Sequence, residues 1–200
     1  IINIWPGFYD EPIYGVAVDV GSTTMAANLC NLETGEVISS AGAMNPQIRF
    51  GEDLMSRVSY SMMNTGGDLE MTKAVIDGLN SLFKEIAEEA KIDKNLILDS
   101  VFVCNPVMHH LLIGIDPFEL GQAPFALATS EQLNFSAKEI NLEINPQAKT
   151  YILPCIAGHV GADAAAVALS ESPNNSDDLV LIVDVGTNAE IMLGSKTRGV

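Results

Sequence analysis

The chain has 200 residues, is 48% hydrophobic and 18% charged, and sets 26 Asp and Glu against 10 Lys and Arg, a formal net charge of -16. That is the composition of an ordered globular chain, long enough to bury a substantial core. The acidic balance argues against sequence-independent nucleic-acid binding, which needs clustered cations to displace counterions, and against an anionic membrane surface as partner.

In chain order, Ile13 to Asp19 is β-branched and alternating, which predicts a strand, and Met25 to Leu32 predicts a second. "NLETGEV" supplies a turn, and Glu36 to Ala43 a third strand, so the three form an antiparallel meander. "MNPQIRFG" (Met44 to Gly51) breaks the pattern as a loop. Glu52 to Met63 has Leu54, Met55, Val58 and Met62 at helical spacing, and Asp68 is expected to cap a long helix to about Ala90. "LDSVFVCN" (Leu98 to Asn105) is a buried-strand run. Asn105 then serves as N-cap, Pro106 as first helical residue and Gly114 as stop. Asp116 to Lys149 reads as an irregular insertion or edge segment. Tyr151 to Pro154 is a short strand, Gly161 to Glu171 an Ala-rich helix, and Leu179 to Asp184 with Ala189 to Leu193 a last hairpin. Strands followed by alternating helices and strands predict an α/β layer fold around a mixed sheet.

No apolar stretch approaches the roughly 20 residues of a membrane span. Cys30, Cys104 and Cys155 are far apart, with no Cys-x-x-Cys, so neither a zinc ribbon nor a complete iron–sulfur site is legible. An odd number of cysteines without a signal peptide implies reduced thiols in a cytoplasmic protein. Cys30 and Cys104 fit as small core residues.

One short pattern occurs twice. "VDVGSTTMAANL" begins at Val18 and "VDVGTNAEIMLG" at Val183, each joining a β-branched run to a second strand. A tight turn rich in Gly, Ser and Thr offers backbone N–H groups and hydroxyls to phosphate oxygens. Gly21, Ser22, Thr23 and Thr24 supply them in the first copy, and Gly186, Thr187 and Asn188 in the second. Asp19 and Asp184 end buried strands, where an unpaired carboxylate is costly. Mg2+ held through water by both, bridging phosphates, would satisfy them. Either turn alone has an ordinary structural explanation; the pair points to two hairpins facing one ligand.

The succession of first hairpin, strand, "LPCIAGHVGADAAA", loop and second hairpin resembles the ASKHA superfamily of acetate and sugar kinases, heat-shock chaperones and actin. The resemblance implies a ribonuclease H-like, actin-like ATPase lobe that binds ATP and Mg2+, with Gly158 and Gly161 in the connecting motif touching phosphates. More narrowly, the two hairpin segments, "AMNPQIRFGEDLMSRV", "VFVCNPVMHHLLIGIDPFELGQAPF" and "LPCIAGHVGADAAA" resemble the reductive activators of corrinoid proteins, from Tyr14 to Gly194. The resemblance implies ATP-dependent return of a Co(II) corrinoid protein to Co(I) in a methyltransferase system of C1 metabolism. It places a [2Fe–2S] cluster in an N-terminal domain that is not in this sequence. On it, residues 1–12 are expected to be a linker from an upstream domain. Residues 13–200 are expected to be the first lobe of the ATPase domain, truncated at its C-terminus and inactive alone. Expected partners are ATP and a corrinoid protein, with no nucleic acid or membrane and a homodimer left open. A small-molecule kinase of the same superfamily and a non-catalytic docking lobe are the alternatives.

The remaining polar residues leave choices open. His109 and His110 point about 100° apart on one helix, which favours capping and core roles over a shared ligand. Asn105 follows a strand end, where open α/β sheets bind ligands. His159 and Asp163 flank a helix start suited to an anion or to packing. Glu190 either faces the metal or the solvent. Arg49 either pairs with Glu52 or Asp53 or reaches a phosphate or partner. Trp5 and Phe8 are expected to pack on the lobe or on a neighbour.

Overall fold

Alternation of branched and small residues builds the first strand. In a computed structural model describing residues 1–9, 12–187 and 189–199, β1 (Tyr14–Val20) buries Val16, Val18 and Val20 and turns Ala17 and Asp19 to the opposite face. β2 (Thr24–Asn31) repeats the alternation, burying Met25, Ala27 and Leu29, and pairs antiparallel with β1 and with β3 (Val37–Met44). After α1 (Leu54–Met63) and α2 (Gly67–Ala90) the chain returns as β4 (Ile97–Cys104), parallel to β1. β6 (Lys149–Ile152) adds in parallel beside β4, and β5 (Leu133–Ser136) closes that side antiparallel. The sheet order is β3-β2-β1-β4-β6-β5. A three-stranded meander continued by parallel strands from its first member is the ribonuclease H-like plan of an actin-like ATPase lobe.

α2 supplies more of the core than any other single element because its apolar residues recur every three or four positions. Met71, Val75, Leu79, Leu82, Phe83 and Ile86 are all buried, and Phe83 meets Phe102 of β4 edge-on with ring centroids 6.4 Å apart. Each such side chain contributes roughly 1.5–3 kcal/mol on burial. α3 (Pro106–Leu112) lies wholly inside, capped by the Asn105 side chain, which accepts from Met108 N–H at 3.0 Å. α4 (Ala162–Glu171) contacts β4 and a second sheet of β7 (Val180–Val185), β8 (Ala189–Ser195) and β9 (Arg198–Gly199). Leu181, Val183 and Val185 share one face of that sheet with Ile191 and Leu193 of the partner strand, and all five are exposed. Among the described residues no helix is long and apolar enough to cross a membrane.

Several local expectations change. α2 starts at Gly67 behind a left-handed Gly66 (φ 80°), so Asp68 sits in the first turn rather than at the cap. The "NPQIRF" stretch is a 3-10 turn, Pro46–Phe50, capped by Asn45, because that side chain accepts from Gln47 N–H at 2.9 Å. The 116–149 segment contains β5 as the edge strand, with 3-10 turns at Phe118–Gly121 and Ala137–Ile140. In α1, Met55 and Met62 of the apolar stripe stay exposed, while Arg57 and Val58 are buried. Cys104 is buried as expected, and Cys30 only partly. Trp5 lines a groove with Ile13, Leu32 and Leu98 and its ring lies 5.3 Å from that of Tyr9, whereas Phe8 is fully exposed.

The two histidines of α3 differ sharply. His110 donates from Nδ1 to the Pro106 carbonyl at 2.8 Å and accepts at Nε2 from Ala128 N–H at 3.0 Å, a neutral tautomer fixed at both nitrogens. His109 is fully buried and neither ring nitrogen has a hydrogen-bond partner among the described residues. Burial, and then His110, push its pKa down to about 4.

Between pH 6.5 and about 4 the unfolded chain therefore takes up a proton at His109 that the folded chain refuses. This group's contribution is intact above pH 6.5 and is lost as the pH falls, by up to about 3 kcal/mol. Urea unfolding at pH 7 and pH 4.5 should show a smaller acid loss in His109→Leu than in the parent protein. An equal loss in both would remove His109 as the cause.

Candidate functional site

The ends of β1 and β7 bring the two repeated turns to one cleft of about 490 Å3. Asp19, Gly21, Ser22, Thr23 and Thr24 line it from the first hairpin, and Asp184, Gly186 and Thr187 from the second. The tips touch: the hydroxyls of Thr23 and Thr187 lie 2.8 Å apart. Asn188 lies outside the described residues. Gly21 is needed where it stands, because a Cβ there would meet the Thr24 carbonyl oxygen at 2.7 Å.

Three further residues complete the lining. Asn105 enters from the α3 cap, Asp163 from the first turn of α4, and Glu190 as the cross-strand neighbour of Asp184. No Lys or Arg is among the described lining residues. Four carboxylates thus share a cleft without a cation. Desolvation, then the charges of Asp163 and Asp184, push Asp19 up to about 6. Desolvation first, with like charge behind it, also raises Asp163 and Glu190. Among the described residues no group of three His, Cys, Asp or Glu could hold a metal ion directly.

Gly158 and Gly161 sit apart from this lining. Gly161 is the α4 N-cap, pressed beneath the cleft, where a Cβ would meet the Cys104 carbonyl oxygen at 2.5 Å and Asn105 Cα at 2.6 Å. Gly158 lies in a neighbouring cleft of about 410 Å3 with His159 and Met55. The chain folds back through the Ala157–Val160 bridge and packs Gly158 against the Phe125 backbone, and the His159 ring meets the Phe125 ring at a 56° tilt, centroids 4.5 Å apart. His109 and His110 remain in the core. Arg49 reaches neither Glu52 nor Asp53 and lies over the Phe50 ring, 4.6 Å from its centroid. Asp53 instead caps α1, accepting from Ser56 N–H at 2.7 Å.

The support of the first hairpin was not legible in the sequence. Asn45 donates from its side chain to the Gly21 carbonyl and from its backbone to the Thr23 carbonyl, each at 2.8 Å. The fully buried Arg57 donates to the Ser22 carbonyl between them, to the Gly51 carbonyl at 3.0 Å and to Gln47 Oε1 at 3.3 Å, and it contacts Met108 Sδ at 3.0 Å. Gln47 in turn donates to the Met71 carbonyl at 2.9 Å. The only available signal was the clustering of Asn, Gln and Arg just downstream of the first hairpin's return strand.

Comparison with known proteins adds a family to this geometry. The family model described as "RACo middle region" matches residues 14–174. The chain is 31% identical over 186 residues to the corrinoid activation enzyme RamQ of Eubacterium limosum, covering 93% of the chain and 31% of that protein. It is 23% identical over 195 residues to the [Co(II) methylated amine-specific corrinoid protein] reductase of Methanosarcina barkeri, covering 90% of the chain and 34% of that protein. A solved reductive activator for corrinoid, iron-sulfur protein superposes with a TM-score of 0.92 at 34% identity, over 97% of this chain and 31% of that one. The chain thus spans about a third of the length of the relatives it matches.

Two outcomes follow from the geometry. The folded state holds the Asp19 proton to about pH 6 and the unfolded state only to 3.8, so ionising Asp19 costs stability that is lost as the pH rises through 6. Asp19→Asn should raise the thermal midpoint of the unliganded protein at pH 8 and leave it nearly unchanged at pH 4; a midpoint lowered at pH 8 would contradict the crowding. Gly161→Ala forces a Cβ onto backbone that has no flexible end to yield, and should cost on the order of 1–3 kcal/mol in chemical denaturation.

Proposed function

The chain belongs to the RACo middle-region family, and from that premise we propose that it is the phosphate-holding lobe of an ATP-dependent reductive activator of a corrinoid protein. The observation that carries the proposal is the convergence of two carboxylate-tipped, hydroxyl-rich hairpins on one cleft. Backbone N–H groups and the hydroxyls of Ser22, Thr23, Thr24 and Thr187 suit phosphate oxygens. Asn188 is proposed alongside them from its place in the second turn, with Gly186 allowing close approach. Gly158 and Gly161 act more remotely, by fixing the path into α4.

The donor set fits a hydrated divalent cation. Raised carboxyls crowded together without a basic neighbour are stabilised by a hard dication, and the lack of a direct three-ligand group among the described residues suits Mg2+, which keeps most of its waters. Asp19 and Asp184 are the residues proposed to hold it through water, with Asp163 and Glu190 behind them. Bound there, Mg2+ supplies positive charge to the phosphates.

In the whole protein, ATP binding is proposed to favour one conformation of activator and partner and so drive transfer of one electron to Co(II), reducing it to Co(I). The electron is assigned to the [2Fe–2S] cluster that the resemblance to the reductive activators implies in an N-terminal domain; Cys30, Cys104 and Cys155 form no cluster site among the described residues. Residues 1–12 are assigned to a linker and 13–200 to the lobe. The corrinoid partner, the methyltransferase system and a cytoplasmic setting belong to the same reading.

The full-length protein, a Co(II) corrinoid protein and a low-potential donor should yield the Co(I) absorption band only when Mg-ATP is present. Asp19→Ala and Asp184→Ala should each slow its appearance at least about a hundredfold, the scale of a lost positioned electrostatic group. Equal rates with and without ATP would refute the proposal.

A further inference from the structure

The acidic cleft poses a problem for any phosphate ligand, since its described lining includes four carboxylates and no cation. A fixed positive charge lies beneath the first hairpin, where the Arg57 guanidinium donates to the Ser22 carbonyl. Arg57 is fully buried, and among the described residues no carboxylate forms an ion pair with it. Burial lowers its pKa to about 10, which leaves it charged at neutral pH. The exposed Asp53 carboxylate acts on it only from beyond ion-pair distance, and a buried cation with so little compensation is costly to a fold. Neutral acceptors take up the Arg57 donors, namely the Ser22 and Gly51 carbonyls, Gln47 Oε1 and Met108 Sδ, and a neutral amide side chain would serve a purely mechanical brace.

Hydrogen bonding dictates what this charge does to the hairpin. In a trans peptide the C=O and N–H point in opposite directions. Asn45 takes the Gly21 carbonyl, which turns the Ser22 N–H away from Asn45. Arg57 takes the Ser22 carbonyl, which turns the Thr23 N–H away from Arg57. Neither N–H has an acceptor among the described residues, and both residues line the cleft. A cation on a peptide oxygen also polarises that peptide and makes its N–H a stronger donor.

We propose that Arg57 is the positioning residue of the phosphate cleft, a fixed buried charge that aims and polarises the Ser22–Thr23 peptide toward the bound anion and offsets the acidic lining. This rests on reading the cleft as a nucleotide phosphate site. Arg57 never touches the ligand; it acts through the Ser22 carbonyl, so its effect grows with the negative charge placed in the cleft.

The test uses the full-length protein and calorimetric titration with Mg-ATP, Mg-ADP and AMP. Arg57→Met should weaken Mg-ATP about a hundredfold, the upper range for a lost charged hydrogen bond, with a smaller loss for Mg-ADP and the least for AMP. Arg57→Lys keeps the charge and should remain within about tenfold of the parent at pH 7. Its affinity should then fall toward pH 9 as the buried ammonium discharges, while the parent's stays level. A folded Arg57→Met protein that binds Mg-ATP like the parent, or that loses all three nucleotides equally, overturns the inference. Should Arg57→Met not fold, Arg57→Lys decides alone: a pH profile parallel to the parent's overturns it. Failure of the parent to bind Mg-ATP defeats the functional reading instead, and this inference with it.

Discussion

Carboxylates that repel one another are held face to face in this fold, and much of the architecture serves to keep them there. Asp19 ends a strand of the large sheet and Asp184 a strand of the small one, while Asp163 enters on α4 between the two. Left to electrostatics these groups would separate. They stay because β1 is locked between β2 and β4, α4 bears on both β4 and β7, and the hairpin tips meet through Thr23 and Thr187. Such a site stores unfavourable charge in the free protein, and under the proposed function a cation arriving with phosphate would relieve it.

The precision of the first hairpin comes from behind it. Consecutive carbonyls of Gly21, Ser22 and Thr23 are taken by Asn45 and Arg57, and Gln47 ties that pair to α2 through Met71. A glycine-rich turn is free to adopt many shapes. Here its shape is imposed by buried side chains that belong to the next segment of chain. Movement of α1 against α2 would therefore be felt at the cleft through Arg57.

Much of this was legible in the sequence, and the rest was hidden for physical reasons. The meander, the long core helix and the twin Asp-Val-Gly turns announce themselves by local periodicity and local turn chemistry. Arg57 does not, because a charged residue on an amphipathic helix defaults to solvent, and only the arrival of carbonyls from Ser22 and Gly51 makes its burial tolerable. Asp163 and Glu190 look like ordinary first-turn and strand acids until α4 and the β7–β8 hairpin close on Asp19. Gly158 was expected at the phosphates because the resemblance places it with Gly161 in the connecting motif. The backward bend at Ala157–Val160 carries it into the adjoining cleft. β5 (LNFS) escaped notice because its four residues are neither β-branched nor bounded by a clear turn signal, and only pairing with β6 makes them a strand.

The small sheet carries Leu181, Val183, Val185, Ile191 and Leu193 on one open face. Water contacts there what is, in composition, the inside of a protein. The chain handled by itself thus has a built-in solubility ceiling, and that ceiling drops on warming as the attraction between oily surfaces strengthens. The strong net negative charge is the counterweight: it keeps copies apart at low salt and surrenders that protection as ionic strength shortens the reach of the repulsion.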